Sequence, residues 1–498
     1  PPGPVLPGAY DFARLSFFDQ IGAVGFSLSD VEIREKTEDK NLSISNYVER
    51  VRSETTEKIF KAFPEKQLEK KADTKKFNDR GNIAVALLTG DQGAISKDTL
   101  EAMRNSGLGH ILSISGLHLS LVTATVFFFV RLVLSLIPQI ALRYNIKKWA
   151  AFVALVFGYL YLLLSGAPVP AQRAFLMVAL FLLAIITDRT GSPMRPVVWA
   201  AIIILLIAPE EILSPSFQMS FAAVIALIAA YQAAPRLSPD RVGGVNFVKK
   251  SFYYVFGLIF SSVIAGTATA PFSIYHFGNY AQYGLLSNMM AIPITSFIIM
   301  PAGLLGMVML PIGLEQMPLN IMGYGIGLMI DWAYYVESLP SSSIRIPVIN
   351  SYALLLIAFG GLWLCFWEKK LRLLGLIPMF FGILTAVFTI DHPDIIIDKD
   401  AKLFAMRTES GEYIFSDRKY AKYTRDVWVR SLGKSDEVIS TQDLSKNKKY
   451  DDVARSDNVI IDCNESRCIY QKFESSVLFV KKISEEFDDC SNFILVVN

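Results

Sequence analysis

Between residues 110 and 390 the chain repeatedly runs for the length of a membrane crossing with hardly a charged side chain. A helix needs roughly 20 apolar residues to cross about 30 Å of hydrocarbon. Lipid offers no water to backbone amides, so a spanning segment is either a helix or part of a closed barrel. These runs are continuous rather than alternating, which is the helical option. About ten segments can be delimited, near 110–137, 149–165, 171–187, 196–208, 217–233, 251–272, 284–310, 318–338, 351–367 and 373–390. The fourth is short enough to be re-entrant. The fold expected is a polytopic α-helical membrane protein. Charged residues make up only 19% of the chain, against about a quarter in soluble domains. A net charge of +2 does not point to a nucleic-acid partner, so any such case rests on local features.

Short loops that carry Lys and Arg stay on the cytoplasmic side. Loops after odd-numbered segments hold Arg143, Lys147 and Lys148; Arg189 and Arg195; Arg236, Arg241, Lys249 and Lys250; and Lys369, Lys370 and Arg372. Loops after even-numbered segments hold only Arg345, and one carries Glu210 and Glu211. The expected topology puts the odd-numbered loops in the cytoplasm and both soluble ends on the far side of the membrane.

Residues 1–33 are rich in Pro, Gly and aromatics and turn to short β-like runs at "IGAVGFSL". With no initiator Met and no signal peptide, the chain reads as starting inside a longer protein. Residues 34–108 read as a soluble helical region leading into the membrane part, 109–390. Within it Tyr47, Val51, Ile59, Phe60 and Phe63 share a helical face, and the Lys-rich stretch 66–80 reads as a solvated face or linker. In the tail, 391–498, "DIIIDKDAKLFAMRTESGEYIFSD" alternates about an "ESGE" turn like a β-hairpin. "NVIIDC", "SSVLFVKK" and "NFILVV" are further strand candidates, so a small β-rich domain is expected.

Polar side chains inside such segments are packing devices, functional groups, or both. "GHILSISGLHLS" (109–120) opens the first segment. Its pairs Gly109/Ser113 and Gly116/Ser120 suit close helix approach. His118, about two turns in, needs hydrogen-bond partners away from water, whereas His110 is nearer the interface. Arg173 opens the third segment and either snorkels or lines an aqueous path, with Asp331 as one candidate partner. Gln218 lies in the fifth segment, and His276 and Asn288 flank an outer loop. Pro293 breaks the seventh segment, which is tolerated mainly inside protein or beside a water-filled cavity. Together these residues suggest a polar passage.

Metal catalysis finds little support. The four histidines form no H-x-H or H-E-x-x-H pair, and His110 and His118, eight apart, sit about 80° around a helix. No metal and no cofactor are expected. On the oxidising side of the membrane, two of Cys463, Cys468 and Cys490 can join. Cys463 with Cys468 closes the smaller loop, and Cys490 with either ties down the last strand.

Several boxes together resemble the competence-protein (ComEC) family of bacterial DNA-uptake channels. They are "ALLTGDQGAIS" with Asp91, "SGLGHILSISGLHLSLV" with His110, Ser115, Gly116 and His118, "SGAPVPAQRAFLM" with Arg173, "SPSFQMSF" with Gln218, and "HFGNYAQYGLLSNMMAIPI" with His276, Asn288 and Pro293. "PGAYDFARLSFFDQIGAVGF" is similar to the end of the OB-fold domain that precedes the membrane region in that family. The resemblance makes 109–390 the channel domain and implies passage of single-stranded DNA into the cytoplasm during natural transformation. Other competence proteins and further copies of the chain are its implied partners beside DNA and lipid. Many members end in a metallo-β-lactamase-like domain with an H-x-H-x-D-H box. Here His392 is the only histidine after the membrane region. The tail is similar to the shorter, degenerate domain of alphaproteobacterial members, so no enzymatic activity is expected. A transporter of a smaller solute and a membrane-embedded hydrolase are the alternatives. The first lacks a convincing inverted repeat, and the second lacks metal boxes.

Overall fold

The computed structural model describes residues 3–6, 11–18, 20–25, 44–63, 71–189, 191–234, 247–390, 392–400, 402–417, 420–434, 439–444, 454, 458–463, 467–473, 475–480 and 495–497. The architecture is mostly helical, with small sheets toward the C-terminus. Phe12–Phe18 is a short helix, and residues 21–25 form no strand, unlike the β-like run expected there; 26–28 lie outside the described residues. Helices Ile44–Ala62 (α1) and Lys71–Thr89 (α2) lead through a turn to Lys97–Asn105 (α3). All ten apolar runs then appear as helices. These are Gly116–Ser135 (α4), Ile146–Leu164 (α5), Val169–Ile186 (α6), Met194–Ile207 (α7), Pro215–Ala233 (α8) and Phe247–Phe277 (α9). Gly284–Ile294 (α10) continues into Met300–Met309 (α11), and Gln316–Glu337 (α12), Ser351–Phe366 (α13) and Leu376–Phe388 (α14) follow.

Among the described residues, seven stretches are long and apolar enough to cross a membrane: Gly116–Ser135, Ile146–Leu164, Val169–Ile186, Pro215–Ala233, Ser251–Phe277, Gly284–Ile312 and Lys369–Phe388. Helices α7 and α13 are apolar but shorter. Helix α12 is long enough but is made less apolar by Gln316, Asn320, Asp331 and Glu337, and it is sheathed in protein. Leu319, Met322, Ile326, Met329, Ile330 and Ala333 are buried in one core with Ile59 and Ala62 of α1, Ile83–Leu88 of α2, Met103 of α3 and Ala291 of α10. The largest core of the molecule therefore runs across residue 108, joining α1–α3 to α10–α12.

That core explains two departures from the sequence reading. Residues 71–80 are not a linker but the first half of α2. Asp79 is buried there, accepting from Ser96 N–H at 3.0 Å and Asn82 Nδ2 at 3.0 Å, while the Lys76 ammonium lies 4.1 Å from the Tyr334 ring centre on α12. On α1 only the second half of the apolar face is covered: Ile59 is buried, whereas Tyr47 is exposed. Pro293 does not break its helix either. A π-helical turn, Thr295–Ile299, follows it at once and carries the helix on into α11; a widened turn absorbs the amide that proline lacks and the bulk of its ring.

Strands Asn279–Ala281 (β1) and Ser343–Arg345 (β2) pair antiparallel, Tyr280 opposite Ile344. The tail begins with the expected hairpin: Ile395–Ile397 (β3), Phe404–Arg407 (β4) and Tyr413–Phe415 (β5) pair antiparallel, with Gly411 in a left-handed turn at φ +84°. Helix Lys422–Ser431 (α15), not foreseen from the sequence, precedes a two-residue strand, Ile439–Ser440 (β6), which completes that sheet. Val459–Cys463 (β7), Arg467–Lys472 (β8), Ser475–Val480 (β9) and Leu495–Val497 (β10) form the second sheet; β8 was also not foreseen. Successive strand residues face opposite ways. Leu403 and Ala405 pack under Trp428 of α15, while Phe404 and Met406 meet Ile461 and Phe479 of the second sheet.

Cys463 and Cys468 face each other in the β7–β8 register and are disulfide-bonded; Cys490 lies outside the described residues. Their separation of 5 residues closes a small loop, for which chain entropy gives about 2 kcal/mol. Without reductant, a bulky maleimide added to the denatured protein is expected to leave both thiols unlabelled. A Cys463→Ser/Cys468→Ser variant is expected to lose no more than about 2 kcal/mol of stability to denaturant. Full labelling of Cys463 before reduction would rule out the bond.

Candidate functional site at one end of the helical bundle

Helices α4, α6 and α8 all begin at the same end of the bundle. Helix α5 returns antiparallel to α4 and turns directly into α6, and Arg173 in the first turns of α6 reaches the start of α8. Helix N-termini present unpaired N–H groups, but the C-terminal ends of α5, α7 and α9 meet them here and offset their dipoles, so the character of this end is set by its side chains.

The side chains add a connected polar cluster. Arg173, 2% exposed, donates through Nη1 to Glu211 Oε2 at 2.7 Å and through Nη2 to Ser216 Oγ. Asp331, the partner the sequence suggested, is instead exposed on α12, with Lys76 Nζ 4.0 Å away; Arg173 does not snorkel. The turn Pro209–Leu213 that carries Glu211 continues the network. The Gln218 amide donates through Nε2 to Ile212 O at 2.9 Å, which turns its Oε1 toward His276 Nε2 at 2.8 Å. With the amide oriented this way, His276 Nε2 is the donor. Four elements from separate parts of the chain are pinned together: α6, the 209–213 turn, α8 and the end of α9. Glu211 and Ser216 escaped the sequence reading of the site. Their only signal was an acidic pair in a loop just before "SPSFQ".

His118 stands beside this cluster. The motif around it is a helix break, not the interior of a span: Gly109–Leu112 is a separate short turn, Ser113 is extended, and Ser115 caps α4. His118 is therefore in the first turn of α4, and Gly109/Ser113 do not form a pair on one helix. Ser115 N–H donates to His118 Nδ1 at 3.2 Å, and the Ser115 hydroxyl lies 3.1 Å from the same atom. The ring is buried, and its Nε2 has no partner among the described residues; the same holds for Arg173 Nε. A Cβ on Gly116 would lie 3.8 Å from Ala174, next to Arg173, so the two turns are neighbours. Buried donors without partners are unusual and call for a water or ligand.

The remaining sequence-derived residues are placed elsewhere. Asp91 is exposed in the turn after α2, where it accepts from Gly93 N–H at 2.9 Å. The adjacent Gly90 is needed for its positive φ of +82° and because a Cβ there would meet Ser165 O at 2.3 Å. His110 is exposed and bonds to Gly107 O at 3.0 Å. On α10, Asn288 Oδ1 is buried without a partner among the described residues, one turn before Pro293. Among the described residues no three His, Cys, Asp or Glu side chains converge as a metal site would require.

Both ends of the chain cover this face. Trp428 Nε1 of α15 donates to Val5 O at 3.0 Å. Val348 N–H donates to Ser431 O at 3.1 Å and Arg345 Nη1 to Lys434 O at 2.9 Å, so the C-terminal domain rests on the β1–β2 ribbon. Arg52 of α1 donates through Nε to Thr89 O at 2.9 Å, with its guanidinium against Gly166 in the α5–α6 turn.

A family model described as "Competence protein" matches residues 87–371. The chain is 27% identical over 233 residues to ComE operon protein 3 of Bacillus subtilis, covering 47% of this chain and 27% of that protein. It is 34% identical over 96 residues to competence protein ComA of Neisseria gonorrhoeae, covering 19% of this chain and 14% of that one. It is 27% identical over 228 residues to recombination protein 2 of Haemophilus influenzae, covering 44% and 27%. The matched stretches thus span about a quarter or less of these relatives, and no solved structure matches. With more than half of its length under a single family model, and the polar cluster lying inside that stretch, this multi-pass membrane protein belongs to the competence-protein (ComEC) family.

Proposed function

We propose that the chain forms an inner-membrane channel that passes single-stranded DNA to the cytoplasm during natural transformation. The observation that carries this reading is the buried Arg173–Glu211 cluster with two unpartnered N–H donors beside it. Guanidinium and imidazole N–H groups at helix N-termini suit phosphate oxygens. The family model and one of the relatives are named for competence, and family membership supports DNA as the cargo. The basic loops, among them Lys148 at the start of α5 with its ion pair to Asp188, lie at the opposite end. By the loop-charge rule that end is cytoplasmic, so the cluster and both soluble ends face outward. The role is transport rather than catalysis: His392 has no companion histidine in the tail.

The test is uptake of fluorescent single-stranded DNA by a transformable strain that lacks its own channel and carries this protein. His118 makes it specific. His118→Asn retains an acceptor for the Ser115 N–H but, being shorter, places no donor at the Nε2 position, and uptake is expected to fall at least tenfold with protein level unchanged. Uptake equal to the parent would reduce His118 to a helix cap. Absence of uptake by the parent, inserted at normal level, would defeat the channel reading and favour a smaller solute.

A further inference from the structure

We propose that the exposed face of α15 is a docking strip for single-stranded nucleic acid, which holds the strand over the polar cluster before it enters the helices. This rests on the channel reading and deepens it by assigning a capture surface to the C-terminal domain.

The strip follows from how α15 is packed. Thr424, Trp428 and Val429 are buried, so the apolar side of the helix is spent on the domain core. The opposite side presents Lys422, Tyr423 and Arg430, all three exposed, within an arc of about 100° that also holds Asp426, partly exposed and paired with Arg425, between the two cations; Tyr420 is exposed just before the helix. Neighbouring charges are already engaged: Arg425 Nη2 lies 2.7 Å from Asp426 Oδ1, and Lys434 Nζ lies 3.3 Å from Glu412 Oε1. Lys422 and Arg430 have no ion-pair partner among the described residues. Two cations without an ion-pair partner among the described residues and the Tyr423 ring on one face, with Tyr420 exposed nearby, match what a single strand requires, namely charge for the backbone and flat surfaces for bases. A lipid surface is the poorer fit, because an interfacial helix needs an exposed apolar face and α15 has buried its own.

Position supplies the second observation. The backbone carbonyl of Arg430 would lie 2.9 Å from a Cβ on Gly278, two residues after His276 in the cluster. The hydrogen bonds to Arg345 and Val348 fix this seating. The end of the strip is thus clamped at the mouth, where Phe277 and Tyr280 add exposed rings.

The experiment uses the full chain in phosphatidylcholine nanodiscs and a fluorescein-labelled oligothymidylate, titrated by anisotropy at several salt concentrations. Lys422→Gln/Arg430→Gln is expected to weaken binding at least tenfold. It is also expected to flatten the slope of log K against log salt by about 1.4, since each single-strand phosphate contact contributes about 0.7. Tyr423→Ala is expected to weaken binding about tenfold with the slope unchanged, as loss of base stacking does. Folding of each variant is checked by formation of the Cys463–Cys468 bond. Parental binding retained by both variants, with an unaltered slope, overturns the strip and leaves the channel reading standing. No binding by the parent overturns both. Variants that lose affinity for phosphatidylglycerol vesicles but not for the oligonucleotide overturn the proposal in favour of a membrane contact.

Discussion

Arg173→Met is expected to be among the most damaging single substitutions in the helical region. It strands the Glu211 carboxylate, only 16% exposed, without its cation, and breaking one side of a buried pair typically costs 3–5 kcal/mol. The amount of folded protein in the membrane should fall severalfold, and DNA uptake should fall below detection. The double variant Arg173→Met/Glu211→Met separates structure from transport. Removing both charges together is often neutral or stabilising, so protein level should recover while uptake does not. Recovery of uptake in the double variant would show that the pair is a structural clamp.

A second large effect is expected at Gly360. Within hydrocarbon, helices gain little from burying apolar surface and associate through close packing. Helices α13 and α14 meet in this way: a Cβ on Gly360 would lie 2.4 Å from Gly375 O, and one on Gly382 would lie 3.0 Å from Ala353 O. Gly360→Ala therefore forces the hairpin apart, with an expected loss of about 3 kcal/mol, the upper end for overpacking. The neighbouring Gly361 has nothing within 4 Å of its Cβ position, so Gly361→Ala is the matched control and should be silent. Thermal unfolding in detergent distinguishes them. Equal melting temperatures would mean the helices can separate freely.

The sequence was most legible where one short-range rule decides the outcome. Each apolar run became a helix because lipid leaves the backbone no other partner. The "ESGE" hairpin was readable because alternation and a glycine turn are both local. Helix α15 escaped because its buried apolar positions, Trp428 and Val429, are few and its remaining face is charged. The site was legible in its residue types but not its pairings. Arg173, Gln218 and His276 stand out as polar groups in apolar segments, whereas Glu211 sits in a loop where carboxylates are ordinary. Only the return of α8 beside α6 makes Glu211 the partner in place of Asp331. The break at Ser113 was likewise hidden, since an apolar run looks the same whether or not its helix is interrupted.

The core that joins α1 to α12 bears on how the chain is threaded through the bilayer. Ala62 O at the end of α1 accepts from Gln316 Nε2 at 3.0 Å, and the Phe63 ring fills the space beside Gly323. Helix α1 carries Glu49, Arg50, Arg52, Glu54, Glu57, Lys58 and Lys61, and at mid-bilayer such charges cost about 2.5–3.5 kcal/mol each. It therefore stays in water or at the interface, and it holds the tip of the α11–α12 hairpin there with it. The opposite end of that hairpin returns to the β1–β2 ribbon under the C-terminal domain, so its entrance and exit lie together. Leu305, Val308, Ile312, Leu314 and Met317 are exposed around the tip, an apolar surface suited to lipid. The loop 311–315, which has no Lys or Arg, no longer conflicts with the charge asymmetry of the other loops. The α11–α12 hairpin is thus tied at its tip to a helix that cannot enter hydrocarbon, so the water-facing α1 and the apolar α10–α11 stretch, Gly284–Ile312, must be accommodated side by side.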